Sequence, residues 1–395
     1  MKVVFRVDSS LQIGSGHLMR CLTMAERLKK ENDADVYFVM RALSGNLIDL
    51  VKQKKISVLE LPQAGSSSAL SGYAKWLTVT QEQDAAETIA SMKAIGTPDV
   101  LVIDSYAIDI KWESILRLHV KKIMVIDDLA NRKHDCDILL DQNEYLNKDK
   151  RYEGLVPQNC KLLLGARYAI LREEFYKARE KMRLRDGKIK NILVFFGGSD
   201  LSNETIKALE AIVLLQRQDI RVNVIVGQSN PNKEAIENFC KKNNMYYFCQ
   251  IDNIAEFMNQ ADLAIGAGGT VTWERCFLGL PALVIAIAEN QVELTVNCAS
   301  KGILVFLGDK SKVTTTLLSK EIYKLEGGEL LRLAQNCLIE DFTKVVLNHF
   351  TCSFHSTGSI QKEFLRTSSL FRQSNNSFIS VSLTLRKYIF LYGPC

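Results

Sequence analysis

The sequence alternates short apolar runs with amphipathic helical patterns, and this alternation constrains the fold more than any other feature. Two of the runs, at residues 99–104 and 122–127, are apolar between their ends, and each finishes in an acidic residue. Strands that are buried on both faces have this pattern, which is typical of parallel sheets covered by helices. Similar runs occur at residues 3–7, 35–40, 191–196, 221–226, 263–265 and 281–286. The sequence therefore predicts an α/β fold with doubly wound, Rossmann-like sheets.

Two such arrays follow one another along the chain of 395 residues, which is too long for one ordinary core. We expect an N-terminal domain over residues 1–145, a charged linker over 146–190 and a C-terminal domain over 191–345. A cleft between two such domains is the expected ligand site. The tail at 346–395 is rich in Ser and Phe and does not fit the α/β pattern, apart from one candidate strand at 380–385. It is predicted to be irregular.

Composition excludes several classes of function. A net charge of +5, without a basic run interleaved with aromatic residues, gives no support to a nucleic-acid partner. The ten cysteines lack metal spacing, and neither C-x-x-C nor H-E-x-x-H occurs, so no metal or cofactor is expected. No signal-peptide layout and no apolar run of bilayer length is present. We expect a cytoplasmic protein with free thiols and no membrane span.

The loop at residues 14–17 ends in His17, one of five histidines in the chain. It lies between the predicted strand at 3–7 and a helix that we expect to begin near residue 17 or 18. Ligands of open α/β folds bind at the carboxyl ends of parallel strands, so His17 is predicted to face the cleft. The alternative is a partly buried histidine whose neighbouring glycines serve only the turn. A Ser-, Gly- and Ala-rich segment at 63–73 is predicted to be a loop over the site.

Three glycine loops follow predicted strands, around Gly14, Gly197 and Gly268. None continues into G-K-[ST], so none is a Walker A loop. None shows G-x-G-x-x-G with an acidic residue at dinucleotide spacing, which disfavours a nicotinamide enzyme. Glycine loops at helix starts nevertheless present backbone amides to anions, so a phosphate-bearing ligand is expected.

The loop at residues 266–270 is the most specific of the three. Gly268 and Gly269 let the backbone approach a phosphate, and Thr270 adds a hydroxyl donor at the helix start. Glu274, one turn later, can accept two ribose hydroxyls or can simply favour the first turn of its helix. The loop at 197–199 can close on the diphosphate, or it can be a strand-to-helix turn capped by Ser199 or Asp200.

Several segments together resemble one enzyme family. These segments are residues 8–22, 102–107, 126–130, 135–137, 164–175, 197–200, 266–281 and 289–291. They are similar to the UDP-2,4-diacetamido-2,4,6-trideoxy-β-L-altropyranose hydrolases of pseudaminic acid biosynthesis. The resemblance covers roughly residues 1–310. It implies a GT-B fold, as in the lipid II-forming N-acetylglucosaminyltransferase, with two Rossmann-like domains around a cleft.

The resemblance also implies an activity: metal-independent hydrolysis of a UDP-sugar at the anomeric carbon, with inversion and release of UDP. The implied setting is bacterial flagellin glycosylation, with other enzymes of the same pathway as partners. Histidine titrates near neutrality, so His17 is the expected general base, with Asp8 orienting it. Tyr106 completes the expected catalytic residues. Asp104 and Asp127 could instead be structural acids at strand ends, and Asn290 could be only a helix cap.

The residues assigned to substrate and UDP binding come from the glycine loops and from the matching segments. They are Gly14, Gly16, Arg20, Asp104, Gly197, Gly198, Ser199, Gly268, Gly269, Thr270, Glu274, Asn290 and Gln291. Two other functions share the nucleotide half. A GT-B transferase with a lipid acceptor would favour an apolar and basic patch in the N-terminal half, which the sequence does not show. A non-catalytic UDP-sugar binder would tolerate the loss of His17.

Overall fold

The structure is a computed structural model that describes residues 1–63 and 70–338. These residues belong to one compact unit, Met1–Val346. The predicted tail at 346–395 and its candidate strand at 380–385 lie outside the described residues. So do residues 64–69 of the predicted loop at 63–73.

The N-terminal half is built on a parallel sheet of seven strands in the order β3-β2-β1-β4-β5-β6-β7. Its strands are β1 (Lys2–Val7), β2 (Asp35–Arg41), β3 (Ser57–Leu61), β4 (Val100–Asp104), β5 (Lys122–Ile126), β6 (Ile138–Asp141) and β7 (Lys161–Leu164). Strand β4 lies in the middle of the sheet next to β1, and Val7 is paired with Asp104 at the carboxyl end of β4. Strand β7 falls inside the segment 146–190, so this sheet extends into the predicted linker.

The C-terminal half is built on a second parallel sheet, of six strands in the order β10-β9-β8-β11-β12-β13. Its strands are β8 (Asn191–Phe195), β9 (Arg221–Val226), β10 (Tyr246–Cys249), β11 (Leu263–Ala267), β12 (Ala282–Ala286) and β13 (Val305–Asp309). Strand order changes direction between β8 and β11, where Phe195 pairs with Gly266. The loops at Gly197 and Gly268 follow these two strands, so they lie side by side where doubly wound sheets bind ligands.

Helices connect the strands in both halves. Among the described residues they are α1 (Gly16–Asn32), α2 (Ile48–Gln53), α3 (Gln81–Met92), α4 (Ile110–Leu116), α5 (Glu173–Glu180), α6 (Glu204–Leu214), α7 (Lys233–Lys242), α8 (Ile254–Gln260), α9 (Val271–Phe277), α10 (Asn290–Ser300), α11 (Thr315–Leu325) and α12 (Gly328–Cys337). Two parallel sheets with intervening helices confirm the predicted α/β, GT-B-like architecture. No helix in the described part of the chain is both long and apolar enough to cross a membrane.

Close backbone packing supports the glycine loops of the second sheet. A Cβ on Gly266 would lie 2.2 Å from the Phe195 carbonyl oxygen, and one on Gly227 would lie 2.3 Å from that of Gly198. Neither approach leaves room for a side chain. Gly197 and Gly269 also adopt positive φ, at 89° and 95°, which other residues reach only with strain. Glycine is therefore required at these turns before any ligand is considered.

A buried ion-pair cluster lies on the other side of the first sheet from α1. Arg6 contacts Asp8 at 2.7 Å and Asp84 at 2.7 Å, and Arg41 also contacts Asp84 at 2.7 Å. All four side chains are almost fully buried. Removing one partner from such a cluster would leave an uncompensated charge, which typically costs about 3–5 kcal/mol. Loss of any one of these side chains would therefore destabilise the N-terminal half.

Candidate functional site

His17 lies at the carboxyl edge of the first sheet, on the first turn of α1. Its ring is held by the carboxylate of Asp104, with 2.6 Å between Nδ1 and Oδ1. Burial opposes ionisation of Asp104, but the charges of Arg20 and His17 outweigh burial and hold its pKa well below the usual range. An ionised carboxylate can only accept, so Nδ1 donates to Asp104 and Nε2 is not used by this hydrogen bond. A histidine held in this way can take a proton from water.

Asp104 is itself fixed by Arg20. The guanidinium donates from Nε and Nη2 to the two carboxylate oxygens, at 2.5 and 2.7 Å. Both side chains are buried, with 4% of Arg20 and none of Asp104 exposed. The two parallel hydrogen bonds fix the plane of the carboxylate and therefore the direction of the His17 ring. Arg20 and Asp104, both expected at the substrate, therefore hold the His17 ring in place.

The expectation that Asp8 orients His17 is replaced by this arrangement. The Asp8 carboxylate accepts from the Arg41 backbone amide at 2.7 Å and pairs with Arg6 at 2.7 Å. Alternate residues of a strand face the same side of the sheet, so Asp8 shares the face of Arg6. Asp104 instead lies on the side of α1, where Arg20 and His17 begin the helix. The structure assigns the hydrogen bond on the ring to Asp104.

Tyr106 and Asp128 continue the network beside His17. The Tyr106 hydroxyl donates to Asp128 and accepts from the Asn290 amide at 3.4 Å. Burial, reinforced by the charge of Asp128, raises the pKa of Tyr106 well above its ordinary value, so the phenol stays neutral. Asn290 is the first residue of α10 in the C-terminal half, preceded by Glu289 as the cap. This hydrogen bond joins the sugar side of the predicted site to the second half.

Three aromatic rings form a wall around His17, and sequence reasoning identified only Tyr106 among them. The Tyr106 and Trp76 rings lie 4.7 and 5.9 Å from the His17 ring, centroid to centroid. Tyr73 contacts both of them, at 4.9 Å from Trp76 and 5.1 Å from Tyr106. Tyr73 and Trp76 lie on a short 3₁₀ helix, Gly72–Leu77, at the end of the predicted loop. Tyr73 and Trp76, three residues apart, are the sequence signal that could have identified this wall.

One of the two predicted phosphate loops of the second half, at 197–199, adjoins the loop that carries His17. A Cβ on Gly198 would lie 3.4 Å from the Ser15 hydroxyl, so the 14–17 loop and the 197–199 loop adjoin each other. Gly14 takes a positive φ of 78°, and Gly16 begins α1. Ser199 is half-buried beside Gly198. The histidine loop therefore adjoins the 197–199 loop, one of the two assigned to the diphosphate.

Asp200 has the structural role that the sequence left open. Its carboxylate accepts from the backbone amides of Glu204 and Thr205, at 3.0 and 2.9 Å, and so caps the start of α6. Asp127 also has a structural role. It pairs with Arg132 at 2.7 Å and accepts from the Ala130 amide at 2.9 Å.

The loop at Gly268 and Gly269 leads through Thr270 into α9. The Thr270 hydroxyl accepts from Gln142, which follows β6 in the N-terminal half, at 3.3 Å. Gln291 lies beside this loop, where its Oε1 accepts from the Ile287 amide at 3.1 Å. A Cβ on Gly268 would lie 2.8 Å from the Thr295 hydroxyl, so α10 closes this side of the loop.

Glu274, predicted to bind ribose, is oriented by Arg172, a contact that the sequence did not suggest. Its Oε1 accepts from Arg172 Nε and Nη2 at 3.2 and 3.0 Å. Arg172 lies immediately before α5, where it also pairs with Glu174 at 2.7 Å. These contacts hold one oxygen of Glu274 and leave Oε2 for another donor. The first-turn position alone does not account for this arrangement.

Comparison with known proteins agrees with the fold. The Glycosyltransferase family 28 C-terminal domain matches residues 192–336. MurG of Acinetobacter baumannii has the same fold, with a TM-score of 0.57 at 15% identity, over 89% of this chain and 99% of that one. The bifunctional pseudaminic acid cytidylyltransferase and UDP-2,4-diacetamido-2,4,6-trideoxy-β-L-altropyranose hydrolase of Helicobacter pylori is 24% identical over 66% of this chain and 47% of its own length.

One relative is matched over almost its whole length. The UDP-2,4-diacetamido-2,4,6-trideoxy-β-L-altropyranose hydrolase of Campylobacter jejuni is 31% identical over 304 residues, which are 76% of this chain and 97% of that protein. The 304 matched residues correspond in number to most of the compact unit Met1–Val346. The fold and the resemblance of the sequence motifs agree with this match. The chain therefore belongs to the family of UDP-2,4-diacetamido-2,4,6-trideoxy-β-L-altropyranose hydrolases.

Proposed function

We propose that the protein hydrolyses a UDP-linked 2,4-diacetamido-2,4,6-trideoxy sugar at its anomeric carbon, as a step of pseudaminic acid biosynthesis. The observation that carries this proposal is the His17–Asp104 pair, 2.6 Å apart, whose ring lies beside the cleft opposite the glycine loops of the second half. The named hydrolases from Campylobacter jejuni and Helicobacter pylori support the substrate class.

The chemical step is a single displacement by water. The water oxygen forms a bond to the anomeric carbon while the bond from that carbon to the UDP oxygen breaks. The proton released by the water goes to Nε2 of His17, and Asp104 stabilises the imidazolium that forms. Attack occurs opposite the leaving group, so the configuration at the anomeric carbon inverts. No acceptor other than water takes part.

The second half holds the leaving group. Backbone amides of the loops at 197–199 and 268–270 are placed to bind the diphosphate, and Glu274 is placed to bind the ribose. Fixed amide donors stabilise the charge that develops on UDP as its bond breaks. UDP is already a good leaving group, so we propose that turnover needs no metal ion. Tyr106 and Asn290, joined by a hydrogen bond, contact the sugar from the two halves.

The direct test is incubation of the protein with the UDP-diacetamido-trideoxy sugar and water alone. Proton NMR is expected to show equal amounts of UDP and free sugar, with the first sugar formed in the inverted configuration. Addition of EDTA is expected to leave the rate unchanged. UDP release that requires an added acceptor would support a GT-B transferase, and EDTA-sensitive turnover would contradict the metal-free step. UDP-sugar binding without turnover would indicate a binding protein.

A further inference from the structure

Trp76, in the aromatic wall beside His17, is less buried than the other two tryptophans, Trp112 and Trp273. Trp112 and Trp273 are fully buried, and each indole nitrogen donates to a side chain, Asp84 at 2.9 Å and Asn143 at 3.0 Å. Trp76, by contrast, is only half-buried. Its ring stacks on Tyr106 at 5.5 Å and 27° and lies 5.9 Å from the proposed base. A half-buried indole beside the proposed base has part of its ring free to contact a ligand.

One polar group of the wall, the Tyr106 hydroxyl, already has two hydrogen-bond partners. The Tyr106 hydroxyl is bonded to Asp128 and Asn290, so Tyr106 presents mainly its ring edge and face to the cleft. Burial raises the pKa of Tyr73, and the charges of Glu289 and Asp128 add to that shift, so its hydroxyl stays neutral. The wall therefore offers an apolar surface on one side of His17. The charged pair of Asp104 and Arg20 lies on another side of the same ring.

The proposed substrate has apolar groups that match such a surface. A 2,4-diacetamido-2,4,6-trideoxy sugar carries a methyl group at C6 and a methyl at the end of each acetamido group. Common UDP-hexoses have hydroxyl groups at C4 and C6 instead. The anomeric carbon must approach the water at His17 to about 3–3.5 Å for reaction, which brings the rest of the same sugar ring close to the aromatic wall.

We propose that Trp76 and Tyr73, with the ring of Tyr106, form the subsite that selects the deoxygenated sugar, by packing on its C6 methyl group. This inference rests on the proposed function, because it assigns a part of that substrate. The aromatic surface is expected to favour a methyl group over a hydroxymethyl group at C6. A methyl group gains from leaving water for an aromatic face, whereas a hydroxymethyl group loses hydrogen bonds to water there without finding a partner.

The test compares two substrates, the UDP-diacetamido-trideoxy sugar and the same compound with a hydroxymethyl group in place of the C6 methyl. The wild-type protein is expected to prefer the methyl compound by about 100-fold in kcat/KM, the range that an apolar pocket reaches against an added hydroxyl. Trp76→Ala is expected to lose about 10- to 100-fold in kcat/KM on the methyl compound and to discriminate less than about 10-fold. Trp76→Gln, which places a polar side chain there, is expected to shift the preference further toward the hydroxymethyl compound.

Two controls separate selection from general damage. Lys75→Ala changes an exposed neighbour on the same 3₁₀ helix and is expected to keep both rates. UDP affinity, measured by calorimetry, is expected to be the same in Trp76→Ala and Trp76→Gln as in the wild type, because UDP binds to the other half. Equal losses on both substrates, or unchanged selectivity in both variants, would overturn the subsite. Failure of the wild-type protein to hydrolyse either compound would instead overturn the proposed function, and the subsite with it.

Discussion

Replacing Asp104 by asparagine is expected to lower kcat while leaving UDP affinity nearly unchanged. The change removes the charge that faces Nδ1 of His17 at 2.6 Å and keeps the shape of the side chain. An amide can donate to Nδ1 as well as accept from it, so the ring is no longer restricted to the tautomer with a free Nε2. The Asp104→Asn variant also loses the negative charge that stabilises the imidazolium formed during attack.

The size of the effect follows from the geometry. Two unit charges about 4 Å apart interact by about 4 kcal/mol at the effective dielectric typical of partly buried sites. Arg20 lies on the same carboxylate and neutralises part of that field. A net loss of about 2–4 kcal/mol remains, which corresponds to a decrease in kcat of about 30- to 1,000-fold.

The assay is UDP release from the UDP-sugar, with UDP affinity and thermal unfolding measured on the same preparation. Asp8→Asn is the matched control, because it removes a buried carboxylate from the Arg6 and Arg41 cluster without touching His17. Asp8→Asn is expected to lower stability and keep kcat within a few-fold. If Asp8→Asn lowered kcat more than Asp104→Asn, the assignment of Asp104 as the positioning residue would be refuted.

Two further predictions concern the nucleotide half and acid stability. Arg172→Ala is expected to weaken UDP binding by about 5- to 30-fold, because Glu274 loses a charge-assisted partner, and calorimetry that shows unchanged affinity would contradict this role. Because the folded pKa of Asp104 lies below its ordinary value of 3.8, its ionised form stabilises the fold above about pH 4. That contribution is lost as the pH falls through the lower folded pKa. The difference in unfolding free energy between wild type and Asp104→Asn is therefore expected to shrink on acidification, and a difference that grew would be inconsistent with it.

Features encoded by local pattern could be predicted from the sequence. The apolar runs specified both parallel sheets because strands buried on two faces must be apolar throughout. The glycine loops and the histidine of residues 14–17 were identifiable because strand, loop and helix are contiguous in the chain. Helix α1 begins at Gly16, within two residues of the predicted start.

Features that depend on which side of a sheet a residue faces were not predictable. Asp8 directly follows β1 and Asp104 ends β4, so the sequence placed both at the carboxyl edge of the sheet. Only the three-dimensional arrangement shows that Asp8 faces Arg6 whereas Asp104 faces α1.

Contacts between segments that are far apart in the sequence were also not predictable. Trp76 reaches Tyr106 and His17 across 30 and 59 positions of sequence, and Arg172 reaches Glu274 across 102. No periodicity links such pairs. The sequence therefore predicted the position of His17 at the edge of the sheet. It did not predict the aromatic wall beside His17, or that Arg172 orients Glu274.

The central claim is that His17 takes the proton from the attacking water. The most direct measurement is single-turnover UDP release by His17→Ala, with UDP affinity determined on the same sample. We predict that turnover falls by about 10²–10⁴-fold, the usual range for loss of a general base, while UDP affinity stays within a few-fold of wild type. Turnover within about ten-fold of the wild-type rate, below that range, would contradict the account.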